Sequence, residues 1–353
     1  MALPWAGGAA NRFEEEPLQL NSPKPAQNER FSNRDAGPGG FWDLLRWLKN
    51  RQPGPWRKWI PSAYGPKPPE RVRAGQLRVT LVGHSTVLIQ TDELNFLTDP
   101  IWSLRASPVS WTGPIRHRSA GLRFEDLPPI DAILLSHDHY DHLDVSTLRR
   151  LAREHRPEIF CPLGVAKLLR KLGFPRPGEL DWWETIDFSA GIRVHCTPAQ
   201  HFSGRSLFDR NRTLWCSWLL ESMNGYIYFG GDTGFGPHFG AIAQRFPCPR
   251  LAFLPIGAYR PEWFMHPVHM SPDEAFKAHR LLQAETSVAI HYGTFRLADD
   301  GETEAVDRLR ELAAEDPASA PFLTLEEGIG CEIPSQIRVT EQPQEQWFDR
   351  EER

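Results

Sequence analysis

The chain has 353 residues, a formal net charge of -5, 40% hydrophobic residues and 24% charged residues. This composition excludes disorder of the whole chain and suffices for a large core, so we expect one domain with an irregular N-terminal extension. The acidic balance gives no field that would gather a polyanion, so nucleic acid is a poor candidate substrate.

The five cysteines are widely separated and never form a CxxC pair, which argues against a disulfide framework or a thiolate zinc site. We predict that all of them are reduced core residues: Cys161, Cys196, Cys216, Cys248 and Cys331. No apolar run of about 18 residues exists to span a bilayer, and residues 1–17 lack the pattern of a signal peptide. We therefore expect a cytoplasmic protein.

Residues 1–75 are predicted to form a Pro-rich arm, because prolines are dense between Pro23 and Pro69. Within the arm, residues 41–49 have the spacing of a short helix with aromatic residues and leucines on one side. Aromatic and cationic residues together suit the bilayer interface, where indole rings lie at headgroup depth. The alternative is an arm that packs its aromatic side chains on the domain.

Residues 76–340 have the pattern of a folded domain, followed by a polar tail at 341–353. Strands are predicted at 77–82, where polar and apolar residues alternate, and at 86–90, 94–98, 131–135, 192–197, 213–221 and 226–229. Helices are predicted at 145–154, with Asp144 as N-cap, and at 164–172, ended by Gly173. Early hairpins followed by mixed helices and strands indicate a layered α/β architecture.

The segment from His137 to His142 places three histidines and an aspartate within six residues, in the order His-x-His-x-Asp-His, after a predicted strand. On a loop these side chains can converge from several directions, whereas a helix could not present them so densely. Imidazoles and carboxylates without thiolates suit a catalytic zinc site that keeps open coordination positions. The alternative is a solvated histidine-rich loop.

One loop cannot complete the ligand shells of two metal ions, so further ligands are expected at the ends of later strands. His201 and His291 each end a strand-like run, and Asp232 follows a Gly-Gly pair after another. Taken alone, each would be read as an ordinary polar or turn residue. Their occurrence in this order predicts a binuclear metal site.

The HxHxDH segment, Gly231-Asp232 and His291 together resemble the metallo-β-lactamase superfamily, from about residue 76 to the C-terminal region. The resemblance implies an α/β fold of the four-layer αββα type and two bound Zn²⁺ ions. It assigns one metal ion to His137, His139 and His201, and the other to Asp141, His142 and His291, with Asp232 bridging them.

Further stretches are similar to N-acylphosphatidylethanolamine-hydrolysing phospholipase D, among them Gly83-His84-Ser85-Thr86, Leu97-Thr98-Asp99-Pro100, Asp181-Trp182-Trp183, Pro255-Ile256-Gly257-Ala258-Tyr259 and His291-Tyr292-Gly293-Thr294-Phe295. This similarity implies hydrolysis of a lipid phosphodiester to an N-acylethanolamine and phosphatidic acid, and a homodimer. Gly204 and Phe208 replace the positions associated with bile-acid contacts in the animal enzymes, so regulation by bile acids is not carried over.

The same resemblance assigns catalytic roles to Asp141, Asp232 and His269, and substrate contacts to Tyr140 and His269. Tyr140 would offer its phenol to a phosphate oxygen and its ring to an acyl chain, and His269 would bind phosphate or protonate a leaving oxygen. Loop packing of Tyr140 and a helix-entry position for His269 are the alternatives. His84 is expected to orient a metal ligand by a hydrogen bond or to serve packing alone, and Asp99 to lie in the same outer layer.

The expected partner is a phospholipid substrate, with peripheral membrane contact through the arm. A second hypothesis is a metallo-hydrolase of a small soluble substrate such as a phosphorylated sugar lactone, because the same metal set activates water toward an acyl carbon. An interfacial arm favours the lipid, whereas a polar, basic pocket with the arm packed away favours the small anion. A non-catalytic scaffold is a third hypothesis, and it would be expected to lose metal ligands.

Overall fold

The computed structural model describes residues 30–33, 40–189, 191–206 and 208–334, and the predicted polar tail lies outside them. The strands are β1 (Leu77–Gly83), β2 (Thr86–Thr91), β3 (Leu94–Thr98), β4 (Ala132–Leu134), β5 (Glu158–Pro162), β6 (Gly178–Leu180), β7 (Thr185–Ser189), β8 (Ile192–Thr197), β9 (Ser217–Ser222), β10 (Gly225–Phe229), β11 (Leu251–Pro255), β12 (Ser287–Ile290), β13 (Phe322–Leu323) and β14 (Gly330–Glu332). The helices are α1 (Phe41–Lys49), α2 (Val145–Glu154), α3 (Ala166–Leu172), α4 (His238–Arg245), α5 (Glu262–Met265), α6 (Pro272–Leu282) and α7 (Glu304–Glu315).

The strands of this part of the chain form two seven-stranded sheets, with the orders β14-β1-β2-β3-β4-β5-β6 and β13-β12-β11-β10-β9-β8-β7. Both sheets are mixed: β3 to β6 are parallel in the first and β10 to β13 in the second, while the remaining neighbours are antiparallel. Because β8, β10 and β12 run in the same direction, the loops that follow them leave one edge of the second sheet.

The core consists of three large apolar clusters that define four layers. The first lies between the two sheets and includes Phe96 and Phe253. The second packs α2 and α3 on the first sheet, and the third packs α4, α6 and α7 on the second. The predicted αββα sandwich is therefore confirmed.

Two helix ends lie where the sequence predicted them. Asp144 is the N-cap of α2, and its side chain accepts a hydrogen bond from Ser146 N. The helix α3 ends at Gly173, which adopts a left-handed conformation with φ of 107° that glycine reaches without a steric penalty.

The strand predicted at 77–82 is confirmed as β1, and both of its faces are covered, one by the opposite sheet and the other by loops. A second strand prediction is wrong at its start. The strand predicted at 213–221 begins only at Ser217, since Leu214 N donates to Leu163 O and Cys216 N donates to Ser136 O instead of joining a ladder.

The cysteine prediction holds for three residues and fails for two. Cys161, Cys196 and Cys216 are buried and free, whereas Cys248 is exposed and Cys331 is partly exposed. Both exceptions lie where the chain leaves the core layers, next to the start of β11 and in the edge strand β14.

The described part of the arm packs on the segment that precedes α7. The Asp299 carboxylate accepts hydrogen bonds from Trp47 Nε1 (3.1 Å), Arg51 Nε (2.7 Å) and Gln52 N (3.0 Å). The Glu302 carboxylate accepts hydrogen bonds from the backbone N and the Nε of Arg57. The side chains of Trp42 and Leu48 on the opposite side of α1 are 79% and 52% exposed, so the arm combines a packed face with an apolar outer face.

Acid is expected to weaken this docking. Burial raises the pKa of Asp299, but its hydrogen bonds to Arg51, Gln52 and Trp47 outweigh burial and leave the pKa below its ordinary value. A depressed carboxylate pKa contributes stability above the unfolded pKa of about 4, and this stability is lost as the pH falls through the folded pKa. Asp299→Asn should therefore lower stability by about 1–3 kcal/mol at pH 7, and less at pH 3.

The melting temperatures of the wild type and Asp299→Asn, followed by circular dichroism between pH 7 and pH 3, measure this effect. Asp307→Asn is the matched control, because its carboxylate is 56% exposed on α7. If the difference in melting temperature between wild type and Asp299→Asn stays constant over this pH range, the prediction is contradicted.

Candidate metal centre

The predicted metal ligands meet between the two sheets, at the edge where strands from both sheets end. The loop after β4 carries His137 to His142, while His201, Asp232 and His291 follow β8, β10 and β12. Gly231 has φ of 58°, and a Cβ at this position would lie 2.6 Å from Ser136 Cβ. Only glycine allows the Asp232 loop to approach the histidine loop this closely.

The first cluster contains His137, His139 and His201. The distance from His137 Nε2 to His139 Nδ1 is 2.8 Å, and that from His201 Nε2 to the same His139 Nδ1 is 3.3 Å. His137 and His201 are almost fully buried, and their neighbours fix the orientation of both rings.

The second cluster contains Asp141, His142 and His291. The Asp141 Oδ2 atom lies 3.3 Å from His142 Nε2 and 3.5 Å from His291 Nε2. These atoms belong to a group, which also contains His84, whose ligand atoms all lie within 4.8 Å of one another. The structure thus brings each predicted set of three ligands together.

Asp232 lies between the two clusters. Its Oδ2 atom is 3.2 Å from His142 Nε2, 2.9 Å from His291 Nε2 and 3.8 Å from His201 Nε2. One carboxylate therefore faces ligands of both clusters, which is the position that a bridging ligand requires.

The hydrogen bonds of the first cluster test whether a metal ion fits. His201 Nδ1 donates to Val268 O at 2.8 Å, and a neutral imidazole carries one proton, so His201 Nε2 presents a lone pair. Ser136 Oγ donates to Asp99 Oδ2 at 2.6 Å and accepts from His137 Nδ1, so His137 Nε2 also presents a lone pair. The lone pairs of His137 Nε2 and His201 Nε2 both point toward His139 Nδ1. A cation bound among these three nitrogens would accept a lone pair from each.

The second cluster passes the same test. His142 Nε2 and His291 Nε2 are buried and lie close to Asp232 Oδ2, but neither makes a hydrogen bond of good geometry among the described residues. Buried polar atoms without hydrogen bonds are costly and rare, so these two nitrogens beside a carboxylate indicate a missing ligand. Imidazole and carboxylate donors fit a divalent transition metal ion.

The charged groups of the second cluster show that a metal ion would replace protons on the imidazoles. Burial alone would raise the pKa of Asp232, but His142 and His291 outweigh it and hold the pKa well below its ordinary value. Burial would lower the pKa of His291, but Asp232 and Asp141 raise it to about 9. In the metal-free site, protons on these imidazoles neutralise the carboxylates, and a bound cation takes over that charge.

One buried carboxylate orients ligands of both clusters. Asp99 Oδ2 accepts from His142 Nδ1 at 2.7 Å and from Ser136 Oγ, which in turn contacts His137 Nδ1 at 2.9 Å. Fixing Nδ1 of each ring directs Nε2 into the site. This agrees with the outer-layer position expected for Asp99, whereas the part played by Ser136 was not predicted.

His84 holds Asp141 from the opposite side. Its Nε2 atom lies 2.9 Å from Asp141 Oδ2, and its ring packs on the His291 ring at a centroid distance of 4.2 Å. Its backbone is fixed as well, because His84 N donates to Thr294 Oγ1 and His84 O accepts from His291 N. Of the two roles left open for His84, this contact favours the orientation of a metal ligand.

Removal of His84 should weaken the second metal site in particular. Loss of such an outer hydrogen bond costs about 10–100-fold in metal affinity, so we expect His84→Ala to bind the second metal ion weakly and the first normally. His84→Gln, whose amide nitrogen can occupy the place of Nε2, should recover part of the loss. Titration of metal-free protein with Co²⁺, followed by its visible absorption, separates the two sites; equal weakening of both would contradict this role.

Tyr140 and His269 flank the clusters. Tyr140 donates its hydroxyl proton to Arg205 O at 2.8 Å, and the Arg205 guanidinium lies 3.9 Å from the centre of the Tyr140 ring. His269 Nδ1 lies 3.9 Å from Asp232 Oδ2 and has no hydrogen-bond partner among the described residues. Burial lowers the pKa of His269 to about 4, so its imidazole is neutral at pH 7.

A cavity of about 500 Å³ opens beside His269. Its walls are mainly apolar and come from the arm, from the loop after β8, and from α5 and the loop after it: Leu44, Trp47, Phe202, Phe264 and Val268. The arm thus contributes side chains to a cavity at the metal centre, which no local sequence signal indicated.

Two further contacts to the site were missed. Asn33 Nδ2 donates to His201 O at 2.6 Å, and the buried His238 contacts Thr233 Oγ1, next to Asp232, at 3.1 Å. His238 received no role in the sequence analysis, although its position six residues after Asp232 was a usable signal.

Comparison with known proteins gives one family and several relatives. The family described as "Beta-lactamase superfamily domain" matches residues 94–292. The chain is 40% identical over 266 residues to an N-acyl-phosphatidylethanolamine-hydrolyzing phospholipase D of Caenorhabditis elegans, covering 71% of this chain and 74% of that protein. It is 42% identical over 282 residues to an uncharacterised protein of Mycobacterium tuberculosis, covering 78% and 73%.

Among solved structures, an isothiocyanate hydrolase from Delia radicum gut bacteria superposes with a TM-score of 0.59 at 21% identity, covering 73% of this chain and 99% of that one. At this identity the likeness concerns the fold alone.

Proposed function

The chain belongs to the metallo-β-lactamase superfamily, and from that premise we propose that it is a binuclear zinc phosphodiesterase of the phospholipase D type. The substrate would be N-acylphosphatidylethanolamine, and the products N-acylethanolamine and phosphatidic acid. The observation that carries the proposal is the apolar cavity at the metal centre, because an acyl chain needs such a wall next to the reacting phosphate.

Zinc is the ion that the donor set favours, because the ligands are imidazoles and carboxylates without thiolates. His137, His139 and His201 would hold one ion, Asp141, His142 and His291 the other, and Asp232 would bridge them. Two such ions supply an activated water near neutral pH and neutralise charge on phosphoryl oxygens. The chain's own part is to fix these ligands through Asp99, Ser136 and His84.

We propose that His269 contacts the phosphate of the substrate. Its neutral imidazole at pH 7 can donate one N–H bond to a phosphoryl oxygen, and it lies in the wall shared by the metal centre and the apolar cavity. A neutral ring has no extra proton for the leaving oxygen. Of the two roles implied for His269, we therefore propose phosphate binding.

Tyr140 lies between the proposed ligands His139 and Asp141 in the histidine loop. Because its hydroxyl proton is donated to Arg205 O, a direct bond to phosphate would require that contact to break. Its ring also contacts the small apolar cluster around Ile101 and Phe295. We propose that Tyr140 contacts the substrate with its ring, and that the phenol keeps Arg205 in place.

The arm is proposed to make peripheral contact with the membrane through the outer face of α1. Among the described residues, no helix is long and apolar enough to cross a bilayer. Leu45 and Leu48 are 40% and 52% exposed on that face, beside Trp42. Cytoplasmic localisation and a homodimer remain predictions, and size-exclusion chromatography with light scattering measures the latter.

Vesicle co-sedimentation tests the membrane contact. Each inserted leucine contributes about 1.5–3 kcal/mol, so Leu45→Ser with Leu48→Ser should weaken binding to phosphatidylcholine vesicles by at least about tenfold. Leu281→Ser, at a leucine 42% exposed on α6, is the matched control and should bind normally. Equal binding by both variants would rule out α1 as the contact surface.

The reaction itself is tested with zinc-loaded protein and N-acylphosphatidylethanolamine in mixed micelles. Mass spectrometry of both products should show N-acylethanolamine and phosphatidic acid in equal amounts. Absence of N-acylethanolamine would contradict the proposed substrate. Hydrolysis of a phosphorylated sugar lactone by the same sample would favour the second hypothesis, a metallo-hydrolase of a small soluble substrate.

A further inference from the structure

A second cavity, of about 490 Å³, lies beside Tyr140. We call it the basic cavity. It is enclosed by the loop at 103–110, by Tyr140, by the start of α2 and by Arg205. It shares no lining residue with the apolar cavity, and Tyr140 is the residue that it has in common with the surroundings of the metal centre.

Three arginines from three different segments line the basic cavity: Arg105, Arg149 and Arg205. In the described part of the chain, no carboxylate lies within 4.0 Å of any of them. The acidic residue in the wall is Asp144, whose oxygens already accept hydrogen bonds from Ser103 N, Ser146 and Thr147. The wall of the cavity therefore has three arginines and one aspartate, and none of the three arginines forms a direct ion pair among the described residues.

Arg205 is held in this position by the structure. Its Nη1 atom donates to Asp138 O at 2.7 Å and to Leu143 O at 2.9 Å, and its guanidinium packs on the Tyr140 ring. Burial lowers the pKa of Arg205 more than the nearby Tyr140 and the carboxylates of Asp138, Asp144 and Asp209 raise it, and none of these carboxylates lies within 4.0 Å of its guanidinium. A fixed and unpaired cation at a cavity wall is the arrangement that binds an anion from outside.

The surroundings of the basic cavity indicate where such an anion would come from. Leu104 and Trp111, on the loop that forms one wall, are 55% and 77% exposed. Exposed apolar and indole side chains next to arginines suit the headgroup region of a bilayer, where indole rings lie at headgroup depth and arginines meet anionic lipid.

We propose that the basic cavity binds the phosphate headgroup of an anionic phospholipid that lies beside the substrate in the same membrane. This inference rests on the proposed function, in which the single phosphate of the substrate goes to the metal centre and leaves the basic cavity for a second lipid. Phosphatidic acid, which carries a phosphate monoester, is the headgroup that three guanidinium groups would bind most tightly.

Co-sedimentation of zinc-loaded full-length protein with two kinds of vesicle tests the proposal. One kind contains phosphatidylcholine alone, and in the other part of the phosphatidylcholine is replaced by phosphatidic acid. Wild-type protein should bind the second kind more tightly. Each arginine near an anionic surface contributes about fivefold in affinity, so Arg149→Ala should lose about that factor on phosphatidic acid vesicles.

Arg170→Ala is the matched control, because Arg170 is exposed on the neighbouring helix α3 and lines no part of the basic cavity. It should bind like the wild type. If Arg149→Ala and Arg170→Ala lose equal affinity for phosphatidic acid vesicles, binding depends on general surface charge and the proposal is overturned. Equal binding of the wild type to both kinds of vesicle would also overturn it.

Soluble glycerol 3-phosphate distinguishes the two sources of phosphate. If glycerol 3-phosphate does not displace the wild-type protein from phosphatidic acid vesicles, the ligand is the headgroup in a bilayer. If it displaces the wild type but not Arg149→Ala, the cavity binds soluble phosphate esters, and the proposed lipid source is overturned. Hydrolysis of N-acylphosphatidylethanolamine in uncharged micelles is measured separately. A wild type without that hydrolysis refutes the proposed function, whereas failure of the vesicle test alone refutes only the basic cavity.

Discussion

Asp232→Asn is expected to lower kcat by more than about 10³-fold while the protein remains folded. The carboxylate faces ligands of both clusters, at 2.9 Å from His291 Nε2 and 3.8 Å from His201 Nε2. An asparagine has nearly the same shape but carries no charge, so it cannot bridge two cations. Since stabilisation by the metal ions is worth several kcal/mol in the transition state, most of the rate should be lost.

The control for this variant is Asp138→Asn, within the same histidine loop. Asp138 accepts from Gly204 N and Thr213 Oγ1 and belongs to neither cluster, so its removal should cost less than about tenfold, as for an ordinary neutral hydrogen bond. Steady-state kinetics of both variants, with metal content measured by mass spectrometry, separates loss of metal from loss of turnover. Undiminished turnover in Asp232→Asn would contradict the bridging position.

Metal removal is expected to abolish activity and to lower the melting temperature. A ligand at 1,000 times its Kd stabilises the folded state by about 4 kcal/mol, which corresponds to a shift on the order of 10 °C for a domain of this size. Without a cation, the clusters retain unsatisfied nitrogens and closely spaced charges between the sheets. Calorimetry of chelated and zinc-reloaded protein measures the shift, and unchanged melting would argue against a metal site in this place.

The metal affinity should also depend on pH. Because Asp232 and Asp141 raise the pKa of His291 to about 9, a proton must leave this ring before a metal ion binds at pH 7. Affinity should therefore rise with pH up to about 9, by up to tenfold per pH unit for each proton released. An affinity independent of pH between 6 and 9 would show that His291 is not a ligand.

The sequence indicated the residues that meet at the candidate metal centre better than it indicated the contacts that hold those residues in place. The HxHxDH segment is dense enough to be read locally, and His201, Asp232 and His291 stand out because each follows a strand. Alternation predicted β1 correctly, but it could not show that both faces of this strand are buried, because the elements that cover them are distant in the sequence.

Contacts between distant segments could not be predicted. Asn33 and His201 are separated by 168 positions, and Trp47 and Asp299 by 252, so no local periodicity relates either pair. Packing of the arm on the domain was one of two alternatives, and buried Trp47, Ile60 and Val72 agree with it, but the sequence did not indicate which residues of the domain the arm contacts. The basic cavity arises in the same way, from arginines that are solvent-facing residues in any local reading.

Hydrolysis in H₂¹⁸O tests the central claim most directly. If hydroxide attacks phosphorus and the bond from phosphorus to the ethanolamine oxygen breaks, one ¹⁸O atom must appear in the phosphate of phosphatidic acid and none in N-acylethanolamine. Zinc-loaded protein, N-acylphosphatidylethanolamine micelles and mass spectrometry of both products suffice. The account predicts label in phosphatidic acid alone; label in a released fatty acid, with no N-acylethanolamine formed, would show attack at acyl carbon and contradict a phosphodiesterase.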